Sequence, residues 1–369
     1  MRYLLALFLA VLSMTPWAQT VAYRVDTVAE SLDHPWSLAF LPDERMLVTE
    51  RPGRLRVIEP GPDGRPQLRP EPVAGVPPVV ARGQAGLFDV LPDPDFANNR
   101  RLFLSFAHGT PAANHLRVVS ARLEGNELKD LRPVFTSQPA KTDTQHFGGR
   151  MAWLPDGTLI FGMGDGNLER TDAQRLHTHL GKFMRIRPDG TLPADNPFVK
   201  RDSALPEIYS TGHRNPQGVV VVNGVIYAHE HGSRGGDELN RLTPGANYGW
   251  PITTGGVDYT FARITPYRSL PGITPPLTEW TPSIAPAGMA WYDGPLFPAW
   301  RGSLLVAALA ERSVRRVPMG GDGIPGTQEV LFKELGERIR DVRMGPDGAV
   351  YLLTDKEQGR VLRVVPSSR

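Results

Sequence analysis

Short apolar runs, each introduced by a turn rich in Pro, Asp, Asn or Gly, recur along the whole chain. Pro42-Asp43-Glu44-Arg45 precedes Met46–Glu50, Asn98-Asn99-Arg100 precedes Leu102–Phe106, and Pro155-Asp156-Gly157 precedes Thr158–Met163. The pattern returns as Asn223-Gly224 before Val225–Glu230, Trp300-Arg301-Gly302 before Ser303–Ala308, and Pro346-Asp347-Gly348 before Ala349–Thr354. Asp-Gly and Asn-Gly tolerate the positive φ of tight turns, so beside β-rich runs they signal hairpins. Copies spaced about 45 to 80 residues apart leave room for a four-stranded sheet and variable loops in each. Helical periodicity is absent, and 36 prolines oppose a helix bundle. The expected architecture is all-β: a six-bladed β-propeller of four-stranded antiparallel blades. A large β-sandwich or double-barrel array is the alternative. The apolar runs end near Glu50, Asp165, Glu230 and Asp355, and strand ends converging on a central channel would gather these groups in one pocket.

The N-terminus reads as an export signal. Arg2 precedes an apolar run, Leu4 to Leu12, that is too short to span a bilayer. Cleavage is expected after Ala18, leaving residues 19–369 as one catalytic propeller, periplasmic or secreted and free of the membrane; an N-terminal anchor is the alternative. With no cysteine, disulfides and thiolate chemistry are excluded. A net charge of +2 without basic runs argues against nucleic acid as a partner.

Polar groups pinned between glycines and prolines mark candidate ligand loops. His146, in Gln145-His146-Phe147-Gly148-Gly149-Arg150, lies at a strand entrance, and Asp165 ends the strand that follows. A neutral imidazole oriented by a carboxylate is a general base, although a structural histidine fits the sequence equally. Arg338-Ile339-Arg340 on a strand would aim two guanidinium groups to one face, where they need an anion or solvent. Arg214 and Asn215 sit in Gly212–Gly218. Gly235-Gly236-Asp237-Glu238 and Tyr248 offer oxygen donors of the kind calcium takes, or form a plain turn. His229-Glu230-His231 has too few companions on a strand face for zinc.

Seven motifs in order resemble the soluble pyrroloquinoline-quinone-dependent sugar dehydrogenases, in the aldose branch of the glucose/sorbosone dehydrogenase family. They are His34-Pro35-Trp36, Gly83–Leu87, His146–Arg150, Gly212–Gly218, Gly235–Glu238, Asn247-Tyr248-Gly249-Trp250-Pro251 and Arg338–Val342, spread over Val28 to Val365. The resemblance implies a six-bladed propeller that oxidises aldoses at C1 to lactones and passes electrons to an external acceptor. It implies His146 as general base, Asp165 as its support and Arg214 polarising the quinone. Gln84, Arg214, Asn215, Tyr259, Arg338 and Arg340 match quinone contacts, and Glu238 and Tyr248 match a calcium site. Gly232-Ser233 stands where glucose-specific relatives hold the cofactor's calcium on Gly-Pro carbonyls. Ala310 replaces a family lysine; either Arg312 reaches the same cofactor group or the contact is missing. Two other readings share these loops: a calcium-dependent propeller lactonase and a redox-silent propeller that binds sugars or proteins. Substrate choice is expected to rest on Tyr259 to Pro276.

Overall fold

The computed structural model describes residues 22–367, so the expected signal and its cleavage site lie outside the described residues. Six four-stranded antiparallel sheets are present, as the turn count predicts. All six turns fall between the first and second strands of a blade; in the second and fifth blades that connection is longer and carries a short helix, Phe96–Asn99 and Pro298–Trp300. The first strands are Pro35–Phe40, Leu87–Pro92, Met151–Trp153, Pro216–Val222, Pro286–Tyr292 and Ile339–Met344. Each touches the first strand of the next blade, and the sixth touches the first, so the ring closes.

Closure is made by the chain ends. Blade 6 takes its first three strands from the C-terminal segment and its outermost strand, Tyr23–Leu32, from the N-terminal one. That strand runs antiparallel to Gly359–Pro366, with Arg24 opposite Val365 and Thr27 opposite Leu362. No blade can bury its two apolar faces alone, and six buried clusters fill the six gaps between neighbours. Phe88, Phe103, Phe161 and Met184 pack between blades 2 and 3. Leu38, Val48, Leu353 and Val361 pack between blades 6 and 1. Among the described residues no helix is long and apolar enough to cross a membrane.

Polar groups meet near the axis as one buried network. The Arg150 guanidinium lies 4.1 Å over the Trp36 ring and bonds Asp341 at 3.0 Å, Asp89 at 3.4 Å and the Trp36 carbonyl at 3.0 Å. Asp341 also accepts from Arg343 at 2.9 Å and from the Leu38 amide at 3.1 Å, while Asp89 accepts from the Met151 amide at 2.8 Å. Blades 1, 2, 3 and 6 are thus tied through two cations and two carboxylates. Burial pushes Arg150 below the usual guanidinium range, and only Asp341 and Asp89 oppose that. Arg150→Met therefore leaves two buried carboxylates, Asp89 and Asp341, to share Arg343 as their one remaining cation. It should cost about 3–5 kcal/mol in denaturant unfolding, and a loss under about 1 kcal/mol would show the network to be dispensable.

Candidate active site

The residue directly after the second strand faces the axis in four blades. Arg51, His231, Leu309 and Asp355 hold that place in blades 1, 4, 5 and 6, and all line one cavity of about 230 Å³. The loops leading into the first strands add Gln84, Phe147, Gly148, Asn215 and Arg338 to its wall. Trp36, whose ring rests on Arg150, forms part of the same wall. Glu50 does not join them. Its carboxylate is consumed by the Asp33 amide and Arg54, both at 2.6 Å, because the last strand residue faces sideways where the next one faces the axis.

The cavity is rich in cations. Arg338 and Arg340 do share a face, and both reach Asp355 Oδ2, at 3.2 and 3.1 Å. Burial raises the Asp355 carboxyl, but Arg340 and Arg338 outweigh it and hold the group below the usual carboxylate range. Arg51 is a third guanidinium, which sequence reasoning missed; burial and the like charge of Arg340 lower it, against the pull of Asp355. The Arg340 Nε is buried without a partner. Three guanidinium groups therefore face one carboxylate, and the imbalance favours an anionic guest.

Next to the lining residues Phe147 and Gly148 stands the histidine pair. His146 has φ 52°, and Gly148 follows at φ 67° with room for no side chain, since a Cβ there would lie 2.5 Å from the Gly162 carbonyl. This packs the His146 loop onto the strand Leu159–Met163, which ends two residues before Asp165. His146 Nδ1 meets Asp165 Oδ1 at 2.7 Å, and its amide donates to Gln84 Oε1 at 3.0 Å. No described protein group bonds Nε2. Lys141, buried with its ammonium 3.6 Å from the Phe147 ring, donates to the Asp143 and Gln145 carbonyls and pins the same loop. Burial brings that ammonium down to about 8. Burial also lowers His146 below its ordinary 6.5, although the bond and charge of Asp165 pull the other way. The ring is thus neutral at pH 7 and oriented by an anion, which is what a general base requires.

Arg214 lies behind the main cavity. Its amide donates to Glu230 at 2.6 Å, its carbonyl accepts from the Asp165 amide at 2.8 Å, and its guanidinium donates to the His231 and Gly232 carbonyls. It also borders a second space of about 10 Å³, with Glu230, Glu238, Gly232 and Thr254 on the walls. Burial and then the Glu230 charge raise Glu238 well above the usual carboxylate range. Asp237 is structural: it accepts from Ser283 and from the Gly232, Ile284 and Ala285 amides. Tyr248 stacks on His213 and spends its hydroxyl on the Arg241 carbonyl, which leaves only its own carbonyl for a metal. Among the described residues no group of three or more His, Asp and Glu side chains is arranged to hold a metal ion.

Three further sequence candidates line neither space. Tyr259 is 60% exposed at the rim, its ring 6.0 Å from the Arg214 guanidinium carbon. Arg312 does not line the cavity; its positive φ at a turn sends the side chain outward, 3.5 Å from the Gly336 carbonyl. Ser233 is buried with an unpartnered hydroxyl and lines neither space.

Comparison with known proteins follows the same lines. The chain is 39% identical over 363 residues to aldose sugar dehydrogenase YliI of Escherichia coli K12, covering 96% of each. A crystal structure of the Escherichia coli aldose sugar dehydrogenase in its apo-form superposes with a TM-score of 0.89, covering 94% of this chain and all of that one. A structure of the PQQ-bound form of aldose sugar dehydrogenase from Streptomyces coelicolor is 27% identical, with a TM-score of 0.75 and 95% of this chain covered. Residues 32–363 match the profile of the glucose/sorbosone dehydrogenases. This chain belongs to the glucose/sorbosone dehydrogenase family.

Proposed function

We propose that this protein is a periplasmic or secreted aldose dehydrogenase that uses pyrroloquinoline quinone and calcium to oxidise sugars at C1 to lactones. One observation carries the reading: a neutral, carboxylate-oriented imidazole directly preceding Phe147 and Gly148, which line a cavity where guanidinium groups outnumber carboxylates. The quinone is flat and carries three carboxylates. Arg338, Arg340 and Arg51 suit those charges, the unpartnered Arg340 Nε offers a donor, and Trp36, Phe88 and Phe147 supply apolar faces. Calcium suits the Glu230–Glu238 space, where two crowded carboxylates make no ion pair with a lysine or arginine side chain and the Tyr248 carbonyl adds an oxygen. On the Gly232 and Ser233 carbonyls a metal would compete with Arg214 for the Gly232 oxygen.

When bound, the quinone supplies a hydride acceptor, and calcium adds positive charge. This chain's residues do the rest. His146 Nε2 takes the proton of the anomeric hydroxyl, and Asp165 steadies the imidazolium that results. Gln84 holds the His146 loop through its amide contact. Arg214, with Asn215 beside it, sets positive charge next to the reacting region, and Tyr259 shapes the rim. An external acceptor takes the electrons and completes turnover. The exposed ring of Tyr259 supports a broad aldose range, because the rim makes few contacts far from C1.

Adding quinone and calcium to the purified protein should produce sugar-dependent dye reduction only when both are present. Lactone cleavage without quinone would favour the hydrolase, and neither activity would favour a binding protein. His146→Ala should retain bound quinone by absorbance yet lose roughly 10²–10⁴ in kcat; near-normal turnover removes His146 from the chemistry. The base works only when neutral, and its value in the folded protein lies below 6.5. The acid limb of kcat/KM should therefore fall below pH 6.5, with rate lost as pH drops through it; a limb above 6.5 contradicts the assignment.

A further inference from the structure

Trp250 is deeply buried, and none of the roles above uses it. Its indole Nε1 donates to Asp165 Oδ2 at 2.7 Å, the oxygen that His146 leaves free. The other oxygen, Oδ1, accepts from His146 Nδ1 at 2.7 Å and from the Asn167 amide at 2.8 Å. An aspartate carboxylate turns easily about its last torsion. Tied only through Oδ1, it could rotate and present His146 with a different lone pair. Tied through both oxygens, it has one orientation.

The place of the indole is set without help from Asp165. The Trp250 amide donates to the Gly212 carbonyl at 2.9 Å, and the Gln174 side chain donates to the Trp250 carbonyl at 2.7 Å. Gln174 is itself held by reciprocal amide bonds with Asn247, at 3.1 and 2.6 Å. The Arg214 guanidinium carbon lies 5.3 Å from the centre of the indole ring. One rigid side chain thus touches the carboxylate of the pair and the guanidinium beside it.

We propose that Trp250 is a positioning residue: its indole N–H locks Asp165 so that His146 keeps its proton on Nδ1 and presents Nε2 to the substrate. The effect on rate rests on the dehydrogenase reading, whereas the effect on the imidazole does not. A packing role alone would change stability and leave the imidazole proton untouched.

The test compares wild type, Trp250→Phe and Asp165→Asn as ¹⁵N-histidine-labelled, ligand-free proteins, with His146→Gln to assign the signal. Wild type should show a His146 Nδ1–H resonance that exchanges slowly with water. Trp250→Phe should lose it or exchange it roughly tenfold or more faster. Reconstituted with quinone and calcium, the same variant should lose roughly 10- to 100-fold in kcat, as for one hydrogen bond to a charged group, with bound quinone retained. An unchanged resonance, or kcat within about twofold of wild type, overturns the proposal. If Trp250→Phe does not fold, 3-benzothienylalanine at position 250 removes the N–H while keeping the ring, and the same readouts decide. If wild type reduces no dye at all, the dehydrogenase reading fails, and the resonance still settles what Trp250 does.

Discussion

Closing the ring is the constraint on which the site depends. Six twisted sheets pack face to face in a closed ring because Tyr23–Leu32 completes the blade begun by Ile339–Met344, joining residues more than 300 apart in sequence to one sheet. Closure buries both faces of every blade and leaves the first strands around a narrow axis. Loops that share no local interaction then open on one point. The buried charges of Arg150, Asp89, Asp341 and Arg343 lie beside that point and brace four blades against one another. A floor set by paired charges resists sliding, because any shift exposes a carboxylate without its partner.

Above that floor the electrostatics divide in two. The main cavity is cationic, with Arg51, Arg338 and Arg340 against Asp355, and the small space beside it is acidic, with Glu230 against Glu238. Arg214 stands on the acidic side, bound to Glu230 through its amide, with its guanidinium over Trp250 and near Tyr259. The histidine pair joins the two through the backbone, since the Asp165 amide donates to the Arg214 carbonyl. Opposite charge excesses placed this close favour guests of opposite sign bound together, and under the proposed function a polyanionic cofactor and a hard cation would reinforce each other.

The fold was legible because its signal is local. The six repeated turns are chosen by backbone geometry, and each falls between the first and second strands of its blade, although Pro62-Asp63-Gly64 and Pro188-Asp189-Gly190 make similar turns between third and fourth strands. His146 and Asp165 were legible for a similar reason: a single hairpin, Met151–Trp153 and Leu159–Met163, separates them, and Gly148 allows the close approach. Arg51 was not legible, because its neighbour Glu50 looked the better candidate. Only the pleat decides which of the two faces the axis. Arg312 likewise lies outside the cavity, since its positive φ turns the side chain away from a wall that Leu309 lines three residues earlier. The bond from Trp250 to Asp165 spans 85 residues and follows from tertiary packing alone.

The most direct test is a crystal structure of the protein with pyrroloquinoline quinone, calcium and an aldose or its lactone. The account predicts quinone carboxylates on Arg338 and Arg340, the ring within the axial cavity, and the sugar C1 hydroxyl within hydrogen-bond reach of His146 Nε2. Quinone bound anywhere else, or Nε2 turned into protein with the sugar in place, would contradict it.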